Sequence, residues 1–138
     1  MYSPTATALL GFIAWSLLLL ILMEALRTRL ILIGKMKANE FRPDNANLSP
    51  FMQRLTRAHA NCIEGLPLFG GLMLVALVTE RADLTDPLAF TFLGARLCQS
   101  GFHLLSGNLA AIYLRFGAFA VQLAIAVYWS WLLLSGTT

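Results

Sequence analysis

The sequence predicts an all-α membrane protein, a bundle of four transmembrane helices forming one domain over residues 1–138. Three observations predict it. Of 138 residues, 58% are apolar and only 12% are charged, against about 45–50% and about 25% in soluble domains. The 10 basic and 7 acidic residues are unevenly spread: 11 of them fall between Glu24 and Glu64, whereas residues 1–23, 65–79 and 116–138 have none. Polar turns divide the apolar sequence into segments of spanning length. A chain this short cannot hide so much apolar surface in one water-facing core. A cytosolic enzyme, a disordered chain and a nucleic-acid binder are thereby excluded. The net charge of +3 is a small excess, so its placement matters more than its size.

Crossing a hydrocarbon core of roughly 30 Å takes about 20 helical residues. The first dense apolar run, Ala8–Leu26, lacks the basic leader and small-residue cleavage site of a signal peptide. It is read as a retained helix that Leu30–Ile33 prolongs, giving a first helix over 8–33. Gly34–Ser49 is polar, with Pro43 and mixed charges, and reads as a loop. Ser49-Pro50 then supplies an N-cap and a first-turn proline, opening a second helix over 50–78. The uncharged part of that helix, Gly65–Thr79, covers only about 22 Å at about 1.5 Å per residue. The polar turns around Asn61 and Glu64 therefore sit at or inside the membrane boundary.

Glu80–Asp86 forms an acidic turn, and Pro87 opens a third helix over 87–105 with Arg96 near its middle. Ser106-Gly107-Asn108 breaks it. The fourth helix, 110–134, places Tyr128, Trp129 and Trp131 toward one interface. The first loop and its flanks hold Arg27, Arg29, Lys35, Lys37, Arg42, Arg54 and Arg57, whereas the opposite loop has only Arg81. The positive-inside rule then puts the first loop in the cytoplasm and both termini outside.

Charges at membrane depth are costly and point to function. On the second helix Arg54, Arg57, Asn61 and Glu64 share an arc of about 80°, with His59 on the far side. On the third, Arg96, Gln99, His103 and Ser106 again share one face. Two such stripes must turn toward each other or toward a neighbouring subunit, because lipid satisfies neither. One structural explanation is that Arg96 and Glu64 neutralise each other and hold the helices together. Three cations against Glu64 alone leave a positive surplus, which calls for an external anion. Arg27, Arg29 and Arg115 sit at helix ends on the same side, where they equally serve as interface anchors.

Other sites have less support. Cys62 and Cys98 are single cysteines suited to packing. His59 and His103 lack a second ligand at helical spacing, so no metal site is expected. Gly70-Gly71 permits close helix packing, and Gln122 suits an interhelical hydrogen bond.

The segment Arg57-Ala58-His59-Ala60-Asn61-Cys62-Ile63-Glu64-Gly65-Leu66-Pro67-Leu68-Phe69 resembles the second-helix signature of the MAPEG family, the membrane-associated proteins of eicosanoid and glutathione metabolism. Arg54 matches an Arg commonly found three residues before it. Chain length, basic first loop and Arg96 extend the resemblance over essentially the whole sequence. The resemblance implies a homotrimer of four-helix subunits that binds glutathione between neighbours near the cytoplasmic face. It implies that Arg57, Asn61 and Glu64 bind glutathione, with Arg27, Arg54, Arg96, Gln99 and His103 also at the site. Arg115 then stands where many members place the Arg that stabilises the thiolate. Gln99 and His103 occupy positions where Tyr occurs in some members.

The function expected from this resemblance is a glutathione-dependent transferase or peroxidase acting on lipophilic small molecules. The alternatives are a non-enzymatic lipid-binding or scaffold protein of the same fold, and a small channel or transporter with the Arg stripes lining an anion path. The expected setting is a bacterial cell membrane, or an endoplasmic reticulum-type membrane in a eukaryote.

Overall fold

The computed structural model describes residues 1–136. Four long helices make up the bundle: α1 (Pro4–Leu32), α2 (Pro50–Val78), α3 (Asp86–Leu105) and α4 (Leu109–Ser135). Short 3-10 turns at Ala38–Glu40 and Ala82–Leu84 lie in the connections. No strand occurs among the described residues.

Each helix start has a local cause. The Ser49 hydroxyl accepts from Met52 N, 3.3 Å, and Pro50 follows at the first helical position. The same Ser-Pro pair opens α1: Ser3 Oγ accepts from Ala6 N at 3.2 Å. This helix therefore begins four residues before the expected Ala8, because capping chemistry and not the onset of the apolar run sets the boundary. Asn108 caps α4, accepting from Ala111 N at 2.9 Å. The expected turn at Ser106-Gly107-Asn108 is thus a tight link between α3 and α4.

In α2 the chain passes through a π-helical turn over Leu66–Gly70. Pro67 has no N–H and its ring collides with a regular helix at the preceding turn. A π turn widens the helix locally and absorbs both effects. Gly70 is buried, and a Cβ there would meet Leu9 of α1 at 3.2 Å, whereas Gly71 faces open space. Only the first of the two glycines therefore serves close packing.

Three of the helices, α1, α2 and α4, are long and apolar enough to cross a membrane, with mean hydropathy 2.4, 1.7 and 1.8 over their best windows. The polar stripe of α3 makes it the exception, although its 20 residues give about 30 Å of helix. Packing resolves this, since α3 touches all three other helices and shelters between them. Arg96, Gln99, Ser100 and His103 are buried there beside Ala89 and Phe92.

Both ends of the bundle are tied. At one end the Thr5 hydroxyl donates to Asp86 Oδ1 at 2.6 Å, and Arg81 donates to the Leu133 and Leu132 carbonyls at 2.9 and 3.2 Å. At the other, Arg54 Nε donates to the Leu104 carbonyl at 3.1 Å. An aromatic core lies between, with Phe92 at 5.9 Å from Phe12, 5.1 Å from Phe69 and 5.6 Å from Trp129. Trp129 belongs to this core and not to an interfacial belt. Tyr128 and Trp131, one residue before and two after, face outward.

Candidate functional site

Asn61 is the junction of the two polar stripes. Its Oδ1 accepts from Arg96 Nη1 at 2.9 Å and from Gln99 Nε2 at 3.3 Å. Gln99 Oε1 in turn accepts from Gln122 Nε2 at 2.8 Å, so one chain of amides links α2, α3 and α4. With Asn61 Oδ1 used twice inward, its Nδ2 is left as the donor toward the cleft. The interhelical bond of Gln122 is therefore also what fixes the Gln99 amide.

Arg96 is 1% exposed. Its Cζ lies 4.9 Å from the centre of the Phe12 ring and 5.5 Å from that of Phe69. The aromatic faces offset part of the desolvation cost of the cation. Nε and Nη2 nevertheless have no hydrogen-bond partner. Glu64 does not neutralise Arg96: among the described residues the ion pair is Arg27–Glu24, at 3.1 Å. The Arg96–Glu64 explanation of the stripes is thereby corrected. Arg96 lies back between the rings, and Glu64 is on the exposed face of α2.

Gly65 makes that position of Arg96 possible. A Cβ at Gly65 would stand 2.7 Å from Arg96 Nη2 and 3.1 Å from Phe69 Cδ2. Gly65→Ala is expected to displace the guanidinium and to cost about 1–3 kcal/mol of stability, as overpacking does. A lowered thermal midpoint of the purified protein checks this; an unchanged midpoint rejects it.

Two adjoining cavities open beside this network and share Asn61 and Phe119. One, about 260 Å³, is lined by Gln99, His103 and Arg115; the other, about 150 Å³, by Glu64, Gly65 and Arg96. Together they fall at the lower end of the range for a small-molecule site, roughly 300–1,000 Å³. The charges of Arg115, Arg57 and Arg54 all bear on His103. The cleft therefore gathers Asn61, Glu64, Arg96, Gln99, His103 and Arg115, with Arg57 exposed nearby and Arg54 turned to cap α3.

Arg27 is held elsewhere. Its Nε and Nη2 donate to Asn45 Oδ1 at 3.1 and 2.7 Å, and its Cζ lies 5.7 Å from the Phe41 ring centre. Within the chain it anchors the first loop and does not line the cleft. Cys62 is buried, 3.4 Å from Ser100 Oγ, but Cys98 is exposed and contributes no core packing. His59 keeps its position apart from the cleft, with a buried, unpartnered Nε2.

Sequence reasoning misses Asn45. The residue is fully buried with φ of 55°, and its Nδ2 donates to the Met52 carbonyl at 3.0 Å and to Thr56 Oγ1. Asn enters the left-handed region more readily than other non-glycine residues. An Asn within a polar loop was the available signal.

Fold and cleft together define a class: integral membrane helical bundles with a polar, cation-bearing cleft at their basic end. The chain belongs to the MAPEG family, whose family model matches residues 5–135. No curated protein and no solved structure matches the chain.

Proposed function

We propose that the chain is a homotrimeric, glutathione-dependent transferase or peroxidase acting on lipophilic electrophiles that arrive from the bilayer. One observation carries the reading: Arg96 is a buried guanidinium with two unpartnered nitrogens beside an open cleft. A buried cation without a counter-charge is expensive, and an anionic ligand removes that cost. Glutathione suits the donor set, with two carboxylates for the arginines and an ammonium for Glu64. Arg57 and Glu64 stand on the outer face of α2, where lipid cannot satisfy them. This supports a neighbouring subunit that closes the site and to which Arg27 is presented. The basic end faces the cytoplasm in this reading, with both termini outside.

Arg115 is assigned the chemical role. A free thiol has a pKa of about 8.5, and each unit of depression takes about 1.4 kcal/mol of thiolate stabilisation. A guanidinium in a partly desolvated cleft supplies it. The thiol proton passes to water, the sulfur lone pair forms the bond to the electrophilic carbon, and the leaving group departs with its electron pair.

Glutathione titration of the detergent-solubilised protein tests the reading. Saturable binding and protection against heat are expected; absence of both overturns it. Arg115→Ala should lower kcat by about 100-fold or more with little change in affinity. Arg57→Ala should weaken binding by about 10-fold or more. The reverse pattern rejects the assignment of roles.

A second reading, a non-enzymatic lipid-binding or scaffold protein, is favoured by Gln99 and His103 lining the cleft where a hydroxyl donor could stand. Glutathione that binds without thiolate absorbance or conjugation would select it.

A further inference from the structure

A separate cavity of about 280 Å³ lies where α1 ends, the first loop begins and α2 starts. Its apolar lining comes from Leu26, Leu30 and Phe51, and its polar lining from Arg29, Lys35 and Ser49. Backbone geometry brings the two cations there. Gly34, with φ of 76°, closes α1 in a left-handed turn. The Lys35 N–H then bonds back to the Leu30 carbonyl at 3.0 Å, and the Gly34 N–H to that of Ile31 at 3.0 Å. This Schellman arrangement folds Lys35 back beside the last turn of α1, which carries Arg29. Ser49, at the N-terminus of α2, adds the positive end of a helix dipole.

The cavity has no acidic lining residue. Glu24, one turn earlier on α1, is occupied by Arg27. Neither Arg29 nor Lys35 has a side-chain hydrogen bond or ion pair among the described residues. Both residues are exposed at the basic end of the apolar spans.

We propose that this cavity binds an anionic phospholipid, its phosphate held between Arg29 and Lys35 and its acyl chain laid against Leu26, Leu30 and Phe51. Charge complementarity and position argue for a lipid. The cations stand at the end of an apolar helix of spanning length, and the apolar wall of Leu26 and Leu30 continues along α1 through the exposed Leu22 and Leu18. Basic pockets at the ends of transmembrane helices take such headgroups. A soluble anion would use the cations but gain nothing from the apolar wall. The site is distinct from the cleft and independent of what the cleft binds.

The test is lipid retention by native mass spectrometry of the purified full chain, exposed to equal phosphatidylglycerol and phosphatidylcholine. Phosphatidylglycerol should be retained preferentially. Each cation near an anionic surface is worth about five-fold in affinity, so R29Q/K35Q should reduce the preference by roughly 25-fold. Lys35→Gln alone, a loop change, should reduce it about five-fold and serves if the double variant does not fold. Equal retention of the two lipids, or an unchanged preference in the variants, overturns the proposal. Inorganic phosphate that competes phosphatidylglycerol off completely at millimolar concentration also overturns it, since the apolar wall then contributes nothing.

Discussion

Arg96→Met is expected to leave the bundle as stable as the parent, within about 1 kcal/mol, while lowering glutathione affinity by about 30-fold or more. The two effects separate because Arg96 is poorly served by the residues around it. It gains one hydrogen bond to Asn61 at 2.9 Å and contacts to two aromatic rings, yet leaves Nε and Nη2 buried and unpaired. A charged hydrogen bond contributes about 1.5–3 kcal/mol, and an aromatic face about 0.5–2 kcal/mol. Desolvation of the guanidinium costs several kcal/mol, so the two sides nearly cancel. Met fits the slot between Phe12 and Phe69 without any polar atom, and Asn61 keeps its bond from Gln99. A thermal scan and a glutathione titration on the same preparation read both quantities. A large loss of stability with binding intact would show that Arg96 is structural.

Asn45→Ala is expected to be the most damaging single change outside the core, lowering stability by about 3–5 kcal/mol. Asn45 joins the first loop to both flanking helices: it accepts twice from Arg27 of α1 and donates to Met52 and Thr56 of α2. Alanine removes all four bonds. It must also adopt a left-handed backbone, which costs an L-residue roughly 1–2 kcal/mol. Thermal unfolding of the purified variant checks the magnitude. Asn45→Gly should recover only the backbone part, so it should fall between the parent and the alanine variant. Equal midpoints for all three would mean that the loop does not contribute to the stability of the bundle.

These cases show what the sequence could reveal. The helices were legible because uncharged runs and capping residues coincide: Ser49-Pro50 gives the start of α2 to the residue. The start of α1 was not, because Ser3-Pro4 precedes the apolar run instead of abutting it. Helical spacing made the two polar stripes legible but left a facing helix or a neighbouring subunit as their partner; Asn61, Arg96 and Gln99 meet within the chain, whereas Arg57 and Glu64 stay exposed. Which groups pair was not legible. Arg96 selects Asn61 over Glu64 because two aromatic rings and the missing side chain of Gly65 draw the guanidinium inward. That depends on three helices at once. The partner of Arg27 was hidden for a similar reason: Asn45 sits 18 positions away and acts only through an unusual backbone angle. The shelter given to α3 was also hidden, because hydropathy describes a helix alone and not what surrounds it.

The π turn at Leu66–Gly70 acts as a phase shift in α2. One additional residue in a helix turns everything after it by about 100°. The N-terminal half, which carries Asn61 and Glu64, and the C-terminal half, which carries Met73 and Ala76 in the core, are therefore indexed separately. Deleting one residue from 66–70 would restore a regular ladder and rotate the two halves out of register. Either the aromatic core or the polar cleft could keep its alignment, but not both. The widened turn is what lets a single continuous helix serve two packing schemes.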